Sequence, residues 1–484
     1  MLLVALLSQP VQASGAELGG YFRVMTRPDF QGGDGKLGYW NLYGRLLNEG
    51  PYATVEMKLP ILEQRAGSSD VWTSVHMKVE GGSVGNADTG NGSLGDFRMS
   101  QLYAQAGNVM LDRVTWQVGT LESYFGDLGL YDMRPTTLFH DTVGLSARYQ
   151  DERAELMLGF GDAGYAIRGS EYMTIFSPGG SLRMQLGSHL QLGLGGQVYY
   201  EPEVKGNRYA PHTTPGLGYE DFLRGEVVAS FLDENPGEEV SFPSPEPTSN
   251  TSYKAVATLG FGGFGPLVWN SFQASYQLQH PDNFVTETHE GETYTLYVTE
   301  LTDQRTVLFL GDELQLRVVP ERVDLALGGV WGLHQDGDNE IAPTEHARTY
   351  ASVVARVQTY LSPTVHLLVE SSLARETSTN GNTYRNHYDS IFENTGGASD
   401  PRGLEYGDSD TRDTWQGKAG FVLNPLGPGI YTRPSLRLLY GVQHSTQNNA
   451  FGNSFVEDLD QYNEFGNVER HWHHVLALET EVWF

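Results

Sequence analysis

The carboxyl-terminal segment Arg470–Phe484 (RHWHHVLALETEVWF) constrains the fold more than any other stretch. A strand points successive side chains to opposite faces. Phe484, Val482, Leu478 and Leu476 therefore share one face, and Trp483, Glu481, Glu479, His473 and His471 share the other. A strand that is apolar on one side, charged on the other and complete at an aromatic carboxyl terminus suits the last stave of a closed barrel. There it pairs with the first strand and leaves no free edge. The alternative is an edge strand of a soluble β-sandwich.

Composition agrees with the barrel. Of 484 residues, 39% are hydrophobic, as expected when only alternate strand residues face lipid. No interior run reaches the roughly 18 apolar residues of a membrane-spanning helix. The 58 glycines, 26 tyrosines and 8 tryptophans suit a curved sheet with aromatic girdles at its lipid interfaces. With no cysteine, thiol nucleophiles, thiolate zinc sites and disulfide scaffolds are excluded. A formal charge of −29 speaks against nucleic-acid binding, which needs Lys/Arg clusters. It also speaks mildly against an anion channel. Residues 1–16 (MLLVALLSQPVQASGA) read as the back half of a secretory signal lacking its basic start, with cleavage expected after Ala13 or Ala16. Residues 17–484 are then one transmembrane barrel.

About 19 strand-like segments follow one another, from Leu18–Thr26 and Tyr52–Leu59 through Leu223–Phe231 and Thr306–Val319 to the terminal strand. Some links are very short, such as Gln150-Asp151-Glu152 and Gly187-Ser188-His189. Others are long and polar, such as Asp233–Asn250, Glu376–Thr411 and Ser445–Asn467. Short turns at one end and long loops at the other describe an outer-membrane barrel. No sustained helical period or internal repeat is present.

Local motifs for chemistry are weak. Gly81-Gly82-Ser83-Val84-Gly85 matches G-x-S-x-G in letters, but no helix follows to make a nucleophile elbow. His471, His473 and His474 form the densest histidine group and read as polar lining rather than a metal site. Asp336-Gly337-Asp338-Asn339-Glu340 lacks the calcium-loop spacing and reads as a solvated loop, as do Asp408, Asp410 and Asp413. No cofactor is expected. An outer-membrane hydrolase whose Ser, His and Asp converge from separate strands is the rival from another class.

Three stretches resemble the maltoporin (sugar porin) family. They are Gly20-Tyr21-Phe22-Arg23, then Tyr43-Gly44-Arg45 through Asn48-Glu49 into Tyr52–Leu59, and Tyr431-Thr432-Arg433-Pro434-Ser435-Leu436-Arg437. The ending Glu481-Val482-Trp483-Phe484 is similar too. Glu122 to Arg134 resembles the family's inward-folded third loop. The resemblance covers roughly residues 18–149 and 414–484. It implies an all-β, antiparallel up-and-down barrel of about 18 strands with long extracellular loops, one of them folded inward. It also implies a homotrimer in outer-membrane lipid, and an oligosaccharide path made of an aromatic slide beside a polar track. By position, Tyr21, Tyr431 and Trp483 are the slide aromatics and Arg23, Arg45 and Arg98 the polar track. Asp132 matches a constriction aspartate, and Arg134 stands where the family carries a constriction tyrosine. Residues 83–96 hold no aromatic to serve a neighbouring subunit. The expectation is a passive sugar porin of the bacterial outer membrane, with a general or differently selective diffusion porin as the alternative.

Overall fold

Period-two alternation recurs along most of the chain, and in the computed structural model it closes into a cylinder. The structure describes residues 15–28, 35–38, 41–63, 68–81, 98–164, 174–202, 249–280, 284–289, 291–297, 304–336, 347–378, 411–446 and 471–484. The strands in order are β1 (Glu17–Thr26), β2 (Tyr52–Leu62), β3 (Trp72–Gly81), β4 (Arg98–Gly107), β5 (Val114–Ser123), β6 (Leu138–Gln150), β7 (Ala154–Asp162), β8 (Phe176–Gln185), β9 (Leu190–Glu201) and β10 (Asn250–Phe264). There follow β11 (Leu267–Gln279), β12 (Phe284–His289), β13 (Glu292–Tyr297), β14 (Arg305–Val319), β15 (Val323–Asp336), β16 (Arg348–Tyr360), β17 (Val365–Ser378), β18 (Thr411–Leu423), β19 (Ser435–Ser445) and β20 (Trp472–Trp483).

All but β12 and β13 belong to one 18-stranded antiparallel sheet. The sheet closes where β1 pairs with β20, Tyr21 opposite Trp483 and Thr26 opposite Leu478. Phe484 completes the seam, since Gly20 N donates to its carbonyl at 2.9 Å and its own N donates to Gly20 O at 3.1 Å. The aromatic end thus removes the last free edge. Each expected strand segment except one falls on a barrel strand, and Leu223–Phe231 lies outside the described residues. β12 and β13 form a separate hairpin between β11 and β14, which the sequence reading missed.

The two faces of the wall differ as the alternation requires. Outward residues such as Leu145, Leu158, Leu194, Val353, Leu373, Phe421 and Leu438 are exposed. Tyr149, Tyr200, Tyr253 and Trp472 stand exposed near strand ends, as an interfacial girdle does. Inward positions are polar: Gln117, Gln197, Gln273, Gln416, Glu313, Arg356 and Glu481 are all buried inside the tube. Hydrocarbon outside and polar groups within are the solution a membrane imposes on a closed sheet. Links at one end are as short as residues 151–153, 265–266 and 320–322. Links at the other span 202–249, 379–410 and 446–471. Among the described residues no helix is long and apolar enough to cross a membrane.

Among the described residues two loops contribute inward-folded segments, where one inward loop was expected. The third (residues 124–137) brings Leu128, Leu130 and Tyr131 against Phe309, Ala326, Val330, Tyr350 and Val354 of the wall. The first (residues 27–51) adds Leu42 and Tyr43 to that cluster, and Leu37, Leu46 and Leu47 pack on Leu368, Val422, Leu439 and Val475. These leucines explain the difference. A loop with so much apolar surface cannot stay in water, and the only dry place inside a wet barrel is against the wall.

Candidate functional site

The site is the part of the bore that the two loops narrow. Glycines on the inner wall make room for them. A Cβ on Gly311 would lie 2.5 Å from Leu128, one on Gly328 would lie 2.8 Å from Tyr131, and one on Gly441 would overlap Leu47. Polar groups fix the depth. Lys418 Nζ donates to the carbonyls of Tyr43 (3.0 Å) and Gly44 (3.3 Å). Asn48 and Gln416 exchange amide hydrogen bonds at 3.0 and 3.2 Å. Arg45 N donates to Leu130 O at 2.8 Å, joining the loops to each other. Glu313 of the wall accepts from Leu130 N at 2.8 Å and from the Tyr431 hydroxyl at 2.6 Å. The turn between β18 and β19 therefore enters the bore as well, burying Ile430 in the same cluster.

Beside this plug sits a compact ionic knot. Glu481 receives Tyr21 Oη at 2.7 Å, Arg45 Nη2 at 2.7 Å and Arg437 Nη2 at 2.5 Å, with Arg433 Nε 2.7 Å away. Glu49 accepts from Arg23, from Arg45 Nε at 3.2 Å and from Asn41 Nδ2 at 3.0 Å. Asp132 Oδ2 lies 3.6 Å from Arg23 Nη1. Burial pushes the Glu49 carboxyl up to about 7, because Arg23 and Arg45 offset only part of the desolvation. Burial works against ionised Asp132 too, but Arg45, a hydrogen bond from Glu49 and Arg23 outweigh it and hold Asp132 down at about 2. Near neutral pH the two carboxyls thus carry one firm charge, on Asp132, and one adjustable charge, on Glu49.

The expected site residues divide into three groups. Tyr21, Arg23, Arg45 and Asp132 come together in the knot. Arg134 stays on the third loop, bound to Asp127 at 2.9 Å and lying over the Tyr124 ring at 4.8 Å. Arg98 is on β4, bound to Glu80 at 3.1 Å. Of the expected slide aromatics, Tyr21 and Trp483 are neighbours, with Tyr52 6.0 Å from Tyr21, while Tyr431 stands apart beside Trp269. Tyr21 is 9% exposed and its hydroxyl is spent on Glu481. Tyr431 is tied to Glu313, its ring 6.1 Å from Trp269. Trp483 is on the inner face, 63% exposed at the end of the bore, with its ring 5.0 Å from Tyr21.

Sequence reasoning did not single out Glu49, Glu313, Arg433, Arg437 or Glu481 as site residues. Three of them carried a signal. Glu481, Arg437 and Arg433 all fall on the polar phase of the last two strands and the turn before them. The three terminal histidines separate: His473 Nε2 lies 3.0 Å from Lys36 O, His471 Nδ1 lies 3.0 Å from Ser445 O, and His474 meets the Tyr440 hydroxyl at 2.7 Å. Among the described residues no group of three or more metal-ligating side chains converges. Residues 82–97, with most of the G-x-S-x-G stretch, and residues 337–340 lie outside the described residues.

Fold, lipid-facing belt and loop-narrowed polar bore define the class: a bacterial outer-membrane β-barrel of porin architecture. No family model and no curated protein sequence matches the chain. Among solved structures, it is similar to OprD of Pseudomonas aeruginosa, at 10% identity over 98% of each chain and a TM-score of 0.40. It is similar to OpdL of the same organism, at 10% identity over 98% of this chain and 99% of that one and a TM-score of 0.42. Outer-membrane expressed OmpT of Vibrio cholerae matches at 7% identity over 98% of this chain and 100% of that one, with a TM-score of 0.39. None of the three is named as a sugar porin. The resemblance to the maltoporin family is not borne out, and Tyr21, Arg23 and Arg45, on which it rested, join Glu49, Asp132 and Glu481 in the ionic knot.

Proposed function

We propose that the protein is a passive channel for small charged solutes, with no bond chemistry and no energy coupling. One observation carries this reading. The third loop offers the open bore Asp132 and Arg134, two residues apart, each side chain 44% exposed. Opposite charges fixed at a narrowing act on ions and zwitterions directly. Two unit charges 4 Å apart interact by about 4 kcal/mol at an effective dielectric of 20. Among the described residues, Tyr21 is buried and Tyr431 is tied to Glu313, which leaves a neutral sugar few ring faces to stack on. Planar-bilayer recording tests the reading. The expected result is steady ion conductance that millimolar maltodextrin leaves unblocked. Block by maltodextrin would reinstate a sugar path, and lipid or peptide cleavage without conductance would favour the hydrolase.

Assembly as a homotrimer is a second proposal, resting on the outer wall. Asp312 is outward at mid-strand on β14 and accepts from Asn270 Nδ2 at 2.8 Å, amid apolar neighbours such as Leu310, Leu314 and Phe272. A carboxylate turned to hydrocarbon is costly, and the cost falls if a second copy covers it. Native mass spectrometry of the detergent-extracted protein is expected to show trimers that Asp312→Leu weakens. A monomer in both proteins would end the proposal.

A further inference from the structure

The wall that the loops leave open carries a second feature, on the inner face of β1 to β4 toward the short-turn end. A cavity of about 330 Å³ there is lined by Glu17, Glu56, Lys58, His76, Lys78 and Tyr103, among others. Its charges are unevenly matched. Lys58 Nζ pairs with Glu17 at 3.1 Å. Lys78 is directly across the strand pair from Glu56, yet its ammonium turns to Glu80 at 3.4 Å. Glu56 is exposed and has no hydrogen bond or ion pair among the described residues. Next to it the His76 and Tyr103 rings stack at 4.7 Å and 13°, and Ser74 Oγ, 3.0 Å from His76 Nε2, steadies the pair. The Tyr103 hydroxyl also has no partner among the described residues.

A carboxylate without a partner beside an aromatic face is the arrangement that captures an organic cation. The carboxylate supplies charged hydrogen bonds, and the ring's negative face supplies cation–π attraction. We propose that this cavity is a cation subsite of the bore, taking the ammonium or guanidinium group of a solute that has passed the loops. Lys58 and Lys78, each held by its own acid, border the subsite without neutralising Glu56. A site that attracts without enclosing lets the solute move on.

The proposal rests on the channel reading, and the test separates the two. Agmatine, which carries a guanidinium and an ammonium but no carboxylate, is added to single channels in a planar bilayer, with succinate as the anionic counterpart. Agmatine is expected to interrupt the current and succinate is not. Glu56→Gln should weaken the agmatine effect by roughly tenfold or more, the range of one charged hydrogen bond. Tyr103→Ala should weaken it severalfold. Glu321→Gln, a control on an exposed turn, should keep both its ion conductance and its agmatine block. Unchanged agmatine block in Glu56→Gln, or equal block by succinate, would overturn the subsite while leaving the channel intact. Absence of any conductance in the native protein would remove the channel reading and the subsite together.

Discussion

On the wall from β14 to β20 the inward charges Glu313, Arg356, Glu370, Lys418 and Glu481 are all buried. On the wall from β2 to β6, inward residues of the same kinds, such as Glu56, Arg98 and Arg148, remain partly or fully open. The outer faces of both walls carry exposed apolar residues, such as Leu102 and Leu145 on one and Val353 and Leu438 on the other, so the alternation is common and the covering differs. Where loops lie on the wall, its charges serve the fold. Lys418 caps loop carbonyls, Glu370 binds Lys418 at 2.9 Å and Arg356 at 2.6 Å, and Arg412 binds Glu376 at 2.5 Å. Where no described loop residue lies, the same residue types are left for a passing solute. Residue identity therefore does not mark a site in such a bore. Exposure does.

The largest expected effect follows from the covered wall. Glu370→Ala leaves Lys418 and Arg356 buried without their anion, and breaking a buried pair in this way costs about 3–5 kcal/mol. Urea unfolding followed by tryptophan fluorescence should show this loss, and single-channel records should become noisy as the first loop loosens. Next in size is Gly328→Ala. Its new Cβ would stand 2.8 Å from Tyr131, an overpacking that costs about 1–3 kcal/mol and lifts the third loop, so conductance should rise. Gly260→Ala on β10 is the control, because its Cβ would meet nothing nearer than 3.7 Å. Equal behaviour of the two variants would erase the distinction between the walls.

The sequence disclosed the closed sheet because period two is imposed on every strand by the lipid outside. Trp483 fell on the inner phase for that reason, and the barrel seam met at Phe484. The site was only half legible. Tyr21, Arg23, Arg45 and Asp132, expected as parts of a sugar path, lie together in the ionic knot. The first loop brings Arg45 Nη2 to 3.2 Å from the Tyr21 hydroxyl, which itself donates to Glu481, and nothing in local spacing reports that a loop will lie over a strand. Glu313 was invisible for the same reason, since its partners Leu130 and Tyr431 are distant in sequence and reach it only through the bore. Arg433 and Arg437 were readable from strand phase. Arg98 kept its inward phase but ended beside Glu80, away from the knot.

The adjustable charge at the boundary between the walls sharpens the contrast in another way. Glu49 titrates near 7, above the ordinary glutamate value of about 4.3. Its neutral form is the one the folded loop prefers, so the seating of the first loop is most stable below that ordinary value. That stability is lost progressively as pH rises toward 7. Over the same range the narrowing gains a negative charge beside Asp132. Reversal potentials in a salt gradient should therefore shift toward cation preference between pH 5 and 8, with a midpoint near 7. Glu49→Gln should flatten the curve. A pH-independent ratio in the native channel would mean that Glu49 is already ionised.

The smallest effect belongs to the open wall. Arg98 and Glu80 form an ion pair at 3.1 Å, with the arginine side chain 67% exposed. Such a pair contributes about 0–1 kcal/mol, against several for the buried ones. Arg98→Ala should leave unfolding by urea almost unmoved, while freeing Glu80 to face the lumen with only Lys78 and the Tyr52 hydroxyl, 2.8 Å away, as partners. The change should be visible only as a slight gain in cation preference, smaller than the pH effect and suppressed by raised salt. A large loss of stability in Arg98→Ala would place this pair with the structural charges. The division of the bore into a covered wall that holds the fold and an open wall that meets solute would then have to be redrawn at β4.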